Sequence, residues 1–160
     1  MALPVSQFGG DRARRDLALR DQLVAHRVRL VVLAGYDQIL PDQVLEAFPG
    51  AILNLHPSLL PAFGGGMHAI ADAFEYGAKV TGCTVHFVDP GATDGGAVVA
   101  QRAVPVGDGD DLVTLTQRVH EAEWELLPRA VALWCEGRLQ RDGRRVRILP
   151  AAPVSRRPSS

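Results

Sequence analysis

Apolar and polar residues recur along the chain in blocks that predict helices and strands in turn. Residues 11–26 carry leucine and valine at helical spacing among arginines and aspartates, which predicts an amphipathic surface helix. Residues 28–34 form a β-branched apolar run and predict a strand buried on both faces. A short helix over 41–48 and a strand over 51–56 follow, and Pro57 ends that strand because proline cannot donate to the ladder.

The second half of the chain continues the alternation. Patterns of the same kind predict a helix over 67–76, strands over 79–88 and 97–106, a long helix over 110–136 and a short strand over 146–149. Strands that alternate with helices are typical of the α/β class, so we expect a mostly parallel, Rossmann-like sheet. Ligands of such sheets bind beyond the carboxyl ends of the strands.

Composition narrows the class of protein. The 160 residues, 47% of them hydrophobic and 22% charged, are typical of one soluble domain, which we predict over 1–149 with a disordered tail over 150–160. A net charge of −1 argues against a nucleic-acid partner. No run reaches the roughly 18 apolar residues of a membrane span. The two cysteines lie in apolar surroundings, which indicates buried free thiols and a cytoplasmic location. Composition does not indicate an oligomeric state.

Candidate chemistry begins at the predicted strand over 51–56. Asn54 and His56 are two residues apart, so their side chains project to the same side of the strand near its carboxyl end. Asp94 precedes two glycines, which permit close approach of backbone or ligand. Taken alone, the pair also fits a turn-capping asparagine and a hydrogen-bonded core histidine, and Asp94 also fits an ordinary turn.

A third element is the loop after the strand over 28–34. Its residues are Tyr36, Asp37, Gln38, Ile39 and Leu40. Its backbone suits a flat heterocyclic ligand, and it also fits an ordinary connection from strand to helix. We expect no metal site, because no His or Cys cluster has the spacing of zinc ligands.

Three segments together resemble a known family. Residues 54–61 (NLHPSLLP), 79–89 (KVTGCTVHFVD) and 94–96 (DGG) are similar, in order and in spacing, to the formyltransferases that use 10-formyltetrahydrofolate, and most closely to those that act on glycinamide ribonucleotide. The resemblance runs from about residue 10 to residue 149. It implies the formyltransferase fold and formyl transfer from 10-formyltetrahydrofolate to the amine of glycinamide ribonucleotide, in purine biosynthesis and one-carbon metabolism.

The resemblance also implies a role for particular residues. Asn54, His56 and Asp94 match the catalytic asparagine, histidine and aspartate of the family. The loop over 36–40 matches the segment whose backbone contacts the folate, and Glu123 matches an acidic residue that contacts the ribonucleotide. The asparagine amide and a protonated histidine would donate hydrogen bonds to the oxygen of a tetrahedral intermediate. The aspartate would favour the protonated histidine and take up the proton of the attacking amine.

Other histidines receive no catalytic role from the resemblance. His68 follows a segment, 62–66, that departs from the family pattern by carrying three consecutive glycines, so two positions stay open for it, at the border of the site or away from it. His26, His86 and His120 are interpreted as structural or surface residues, since nothing beyond their type suggests a function.

The family pattern begins with a strand and a glycine-rich turn that holds the substrate phosphate. Nothing before Asp11 resembles this turn, so the resemblance implies a chain without that N-terminal portion. We then expect the strand over 28–34 to lack a neighbour and to expose apolar side chains.

Three alternatives remain on the sequence alone. A formyltetrahydrofolate deformylase shares the catalytic trio and would release formate instead of transferring the formyl group. A methionyl-tRNA formyltransferase also shares it, but this chain shows neither the additional C-terminal domain nor a basic surface. A folate-binding protein without catalytic activity would retain the same motifs.

Overall fold

The structure is a computed structural model that describes residues 3–36, 38–90 and 94–151. Asp37 of the predicted folate loop and residues 152–160 of the predicted tail lie outside the described residues. A turn of 3-10 helix at Val5–Phe8 comes first. The remaining elements are, in chain order, α1 (Arg12–Ala25), β1 (Val31–Ala34), α2 (Asp42–Ala47), β2 (Ile52–His56), α3 (Ala69–Glu75), β3 (Val80–Phe87), β4 (Val98–Pro105), α4 (Leu112–Cys135), β5 (Leu139–Asp142) and β6 (Arg145–Ile148).

Strands β1 to β4 form one sheet in the order β1-β2-β3-β4, and β5 and β6 form a separate hairpin. β1 and β2, which α2 connects, run parallel, as expected of a strand-helix-strand unit. β3 runs antiparallel to both β2 and β4. The predicted α/β class is therefore confirmed, and the sheet of the described residues contains both strand directions.

The direction of β3 follows from the segment that precedes it. His56, at the end of β2, pairs with Thr84 inside β3, so β3 begins beyond that end of β2. The loop after β2 stays at the same place, because the amide of Leu60 donates to the hydroxyl of Thr84. The 7 residues of α3 extend only about 10 Å at 1.5 Å per residue. This helix is too short to return the chain to the end of the sheet at which β2 begins, where a parallel β3 would have to start.

β1 is less buried than its composition predicts. Its side chains alternate between half-buried and exposed, and Val32 is 37% exposed. Val31 and Leu33 pack against the core beside α2, while the other face of β1 is open. The prediction of a strand buried on both faces is wrong, because β1 pairs only with β2 among the described strands and helices cover one of its faces. The expectation that this strand exposes apolar side chains is confirmed.

The main core lies between α4 and the strands β3 and β4. The buried residues of α4 recur every three or four positions, as one helix face requires, and they are Leu115, Val119, Ala122, Leu126, Ala130 and Leu133. They pack against buried residues of the sheet, among them Val85 and Val104. Burial of one such leucine or valine contributes about 1.5–3 kcal/mol to folding. This layer makes the sheet a rigid support for whatever lies at its edge.

Two details of the helices and strands differ from the sequence predictions. In the surface helix α1, the most buried residues are Arg15 and Asp16, and its leucines are only half-buried or exposed. The predicted strand over 146–149 is present as β6, but its partner β5 was not predicted. The signal for this hairpin is the Asp142-Gly143 pair, because such pairs favour two-residue turns between strands. Within the described residues, no helix is long and apolar enough to cross a membrane.

Candidate active site

A cavity of about 1460 Å³ opens at the carboxyl ends of β1 and β2. This is the edge at which α/β sheets bind their ligands. The residues that the sequence singles out and that line the cavity are Asn54, His56, Asp94, Tyr36, Gln38, Ile39, Leu40, His68 and Glu123. The structure therefore brings the three separate sequence elements to one place, whereas the roles assigned to them stay predictions.

Asp94 is at the centre of the polar contacts. It is a non-glycine residue with a positive φ of 48°, a conformation that aspartate tolerates better than most residues. One carboxylate oxygen, Oδ2, accepts the backbone N–H of Gly65 at 2.8 Å and lies 3.5 Å from Nδ1 of His56. The other, Oδ1, lies 3.5 Å from Nδ2 of Asn54. The side chain is only 14% exposed, so this carboxylate acts at short range on both neighbours.

His56 is buried, with 5% of its surface exposed. Its Nδ1 faces Asp94, and its Nε2 lies 3.0 Å from the backbone carbonyl of Phe63. Since a carbonyl can only accept, Nε2 carries a proton and donates it to Phe63. Both ring nitrogens therefore face groups of the protein, and the ring is held in one orientation.

The glycine-containing segment over 62–66 reaches the site, which sequence reasoning did not predict. It supplies the carbonyl of Phe63 to His56 and the amide of Gly65 to Asp94. The preceding turn is tied to the sheet by Thr84, whose buried hydroxyl donates to the carbonyl of Ser58 at 2.6 Å. This segment therefore orders the imidazole and the carboxylate together. His68 is exposed and lines the cavity without a described hydrogen bond of its side chain to the catalytic candidates.

His86 is a site residue that sequence reasoning missed. The interpretation of His86 as structural is incomplete, because its Nε2 lies 3.2 Å from Nδ2 of Asn54 and 3.6 Å from Oδ1 of Asp94. Burial lowers the pKa of His86, and the carbonyl of Phe87 and the carboxylate of Asp94 oppose that shift in part. The alternation of side chains along the segment 84–88 is the pattern that could have indicated a site position for His86, since it directs this side chain to one face of the strand.

The loop over 36–40 forms another wall of the cavity. Ile39 is 75% exposed, whereas Leu40 is buried in the core beside α2. The guanidinium of Arg15 donates to the side-chain oxygen of Gln38 at 2.6 Å and lies 3.4 Å from the hydroxyl of Tyr36. Burial raises the pKa of Tyr36, and the charge of Arg15 opposes that rise. Helix α1 therefore supports this loop through Arg15, a contact that no sequence pattern predicted.

Glu123 faces the cavity from α4. Burial raises the pKa of its carboxyl group, and the nearby imidazoles of His120 and His56 oppose that shift. Trp124 also lines the cavity and is 70% exposed. His120 also lines the cavity. It is exposed, in agreement with its interpretation as a surface residue, but that interpretation did not place it at the site. Over the described ranges, no group of three or more His, Cys, Asp or Glu side chains is arranged to hold a metal ion.

Comparison with known proteins gives a family match over most of the chain. Residues 6–131 match the family model described as "Formyl transferase". The chain is 49% identical over 139 residues to phosphoribosylglycinamide formyltransferase of Mycobacterium tuberculosis H37Rv, a match that covers 83% of this chain and 64% of that relative.

Solved structures give the same picture. Glycinamide ribonucleotide transformylase 1 from Symbiobacterium toebii superposes with a TM-score of 0.83 at 48% identity, over 88% of this chain and 65% of that one. A formyltetrahydrofolate deformylase from Pseudomonas syringae superposes with a TM-score of 0.83 at 26% identity, over 89% of this chain and 47% of that one. The chain thus spans less than two thirds of the length of each of these proteins.

Proposed function

Because this chain belongs to the formyl transferase family, we propose that it transfers a formyl group from 10-formyltetrahydrofolate to the amine of glycinamide ribonucleotide. The observation that carries the proposal is the convergence of Asn54, His56 and Asp94 on the wall of one cavity. The cavity of about 1460 Å³ exceeds the roughly 300–1,000 Å³ usual for one small ligand. A volume of this size supports the proposal that a folate and a ribonucleotide bind in the cavity together.

The folate would bind along the loop over 36–40. Flat heterocycles are recognised by backbone donors and acceptors together with apolar contacts, and this loop offers both. Ile39 supplies an exposed apolar surface in the cavity, and Arg15 holds the side chain of Gln38 through a hydrogen bond. Glu123, on the facing helix, is proposed to contact the ribonucleotide. Its position on the cavity wall supports that role.

The reaction exchanges one carbon–nitrogen bond for another. The amine nitrogen attacks the formyl carbon, and the carbonyl oxygen takes up negative charge in a tetrahedral intermediate. When the bond from carbon to N10 of the folate breaks, the oxygen becomes a carbonyl again. Asp94 accepts the proton that the amine loses, directly or through water, and the proton is delivered to N10. The products are the formylated amine and tetrahydrofolate, with no change of oxidation state.

The charge on the oxygen is the quantity that the site must stabilise. The amide of Asn54 donates from the end of β2, where the strand holds it in place. The Nε2–H of His56 donates to the Phe63 carbonyl in this structure, so it reaches the intermediate when the substrate oxygen takes the place of that carbonyl. Asp94 stabilises a positive charge on the imidazole from 3.5 Å. One such donor is worth about 2.7–4 kcal/mol of activation free energy.

The alternative activities differ in what happens to the formyl group. A chain incubated with 10-formyltetrahydrofolate is expected to form tetrahydrofolate only when glycinamide ribonucleotide is added, with equal amounts of formylated ribonucleotide detected by mass spectrometry. Release of formate without the amine would instead identify a deformylase, whose solved representative is 26% identical to this chain. Binding of folate without either product would identify a folate-binding protein.

Folate recognition through the backbone gives a separate prediction. We expect Gln38→Pro to weaken the binding of a non-reactive folate analogue by about tenfold, because proline removes an amide donor and restricts φ. Gln38→Ala is the matched control. It removes the contact with Arg15 but keeps the amide, so its affinity should stay near that of the unsubstituted chain. Equal weakening by both variants in an equilibrium titration would show that the side chain, not the backbone, matters.

We also propose a cytoplasmic location, for which the thiols give support. Cys83 and Cys135 are both free. Cys83 is buried as expected, whereas Cys135 is exposed, so the prediction of two buried thiols is wrong for Cys135. Burial raises the pKa of Cys83 to about 11. A free exposed thiol is typical of proteins in a reducing compartment.

A further inference from the structure

His86 is a buried histidine without a role in the proposed mechanism so far. Its side chain is 1% exposed, and it stands on β3 directly opposite Asn54 of β2. In an antiparallel pair, directly opposite residues place their side chains on the same face and within reach of each other. The sheet register itself therefore brings the imidazole of His86 to the carboxamide of Asn54.

The hydrogen bonds of His86 define its tautomer. Nδ1 lies 2.8 Å from the carbonyl oxygen of Phe87, and a carbonyl only accepts, so Nδ1 carries the proton. In a neutral ring Nε2 is then an acceptor with one lone pair. Burial favours the neutral ring, because it lowers the pKa of His86 against the opposing effect of Asp94. The group 3.2 Å from Nε2 is Nδ2 of Asn54, which is able to donate.

We infer that His86 is a positioning residue for formyl transfer, whose Nε2 accepts one N–H of Asn54 and thereby directs the second N–H of that amide into the cavity. This inference rests on the proposed function, since it concerns the amide that would stabilise the intermediate. The second N–H points to the side on which Asp94 lies, with Nδ2 at 3.5 Å from Oδ1. That long contact leaves the N–H available to a substrate oxygen.

The orientation of an asparagine amide matters because its two ends are alike in shape and opposite in polarity. If the amide turned over, its oxygen would face the lone pair of Nε2, and an acceptor instead of a donor would face the developing negative charge. His86 excludes that orientation because it offers only a lone pair at this point. Without this acceptor, the described contact that still favours the present orientation is the long one to Oδ1 of Asp94. The turned amide therefore becomes more populated, and part of the oxyanion stabilisation is lost.

Two substitutions separate positioning from packing. His86→Phe keeps a ring in the buried space but has no acceptor. His86→Gln places an amide oxygen as many bonds from the backbone as Nε2 and so keeps an acceptor. We expect His86→Phe to lower kcat by about tenfold to a hundredfold, with the KM for folate unchanged. This fall in kcat does not exceed the one expected when a whole oxyanion donor is removed. His86→Gln should restore kcat to within about threefold of the unsubstituted chain.

A double-mutant cycle with Asn54→Ala shows whether the effect passes through Asn54. In the Asn54→Ala background, His86→Phe is expected to cause no further loss of kcat, because the amide that it orients is already gone. Equal kcat for His86→Phe and the unsubstituted chain would overturn the inference. So would an equal loss in His86→Gln and His86→Phe, or a full additional loss in the Asn54→Ala background.

The tautomer is measured independently of any activity. In the ¹⁵N-labelled chain without substrates, long-range proton–nitrogen correlation spectra near neutral pH should show Nδ1 of His86 protonated and Nε2 unprotonated. The carboxamide protons of Asn54 should exchange with water faster in His86→Phe than in the unsubstituted chain, and His86→Gln should retain the slower exchange. A protonated Nε2 would overturn the inference even if formyl transfer occurs. The expected spectra together with an inactive chain would instead disprove the proposed function while the orientation of Asn54 by His86 stands.

Discussion

Replacing His56 or Asp94 with alanine is expected to lower kcat for formyl transfer by at least about 10²–10³-fold, the usual loss for one group that stabilises an oxyanion. His56→Ala removes the imidazole that reaches the substrate oxygen. Asp94→Ala removes the carboxylate that lies 3.5 Å from that imidazole and the acceptor of the amine proton. Asn54→Ala should fall in the same range. Folate affinity should change far less, because these groups act on charge that develops only in the transition state.

The measurement is single-turnover formation of the formylated ribonucleotide with the protein in excess, beside an equilibrium titration with a non-reactive folate analogue. His26→Ala is the matched control, since His26 is an exposed histidine just beyond α1. Among the described residues, its side chain bonds only to the carbonyl of Gln22. Its kcat should equal that of the unsubstituted chain. A His56→Ala protein with nearly normal kcat would show that the imidazole is not part of the chemistry.

Gly96→Ala is expected to destabilise the protein by about 3 kcal/mol, at the upper end of what overpacking costs. A Cβ at this position would lie 1.7 Å from the carbonyl oxygen of Phe87, so the backbone of one of the two must move. That same carbonyl accepts from His86, and the amide of Phe87 donates to the carbonyl of Ala97 at 2.9 Å. Displacement here would also move Asp94, two residues before Gly96, and so lower kcat.

Urea denaturation gives the free energy of unfolding for this comparison. Gly109→Ala is the control, because a Cβ there would meet no atom within 4 Å, and exposed substitutions of this kind usually change stability by less than about 0.5 kcal/mol. A free energy of unfolding for Gly96→Ala within about 0.5 kcal/mol of that of the unsubstituted chain, as expected for the control, would contradict this prediction. It would show that the backbone near Phe87 moves easily and does not fix the position of Asp94.

Local pattern was sufficient to place most helices and strands. The spacing of apolar residues located α4 and its buried face, and Pro57 located the end of β2. The same pattern put Asn54 and His56 on one side of a strand end, where both line the cavity. These features depend on residues close together in the chain, so periodicity and turn chemistry report them directly.

The site required more than local pattern, because its contacts join segments far apart in the chain. The approach of His86 to Asn54 depends on the antiparallel register of β2 and β3, and that register depends on how far the loop after β2 and the short helix α3 carry the chain. Periodicity indicates which face a side chain occupies but not which residue lies opposite it.

The exposure of β1 and the support of the folate loop by Arg15 also depend on contacts between segments far apart in the chain. An apolar run is identical in an edge strand and in a central one, and only the pairing of strands distinguishes them. A buried arginine is also not marked by its neighbours in sequence, since Arg15 is held by the distant Gln38 and by the adjacent Asp16. Burial and partner choice are set by packing between elements, and a linear pattern carries no information on the distance between segments that only the folded chain brings together.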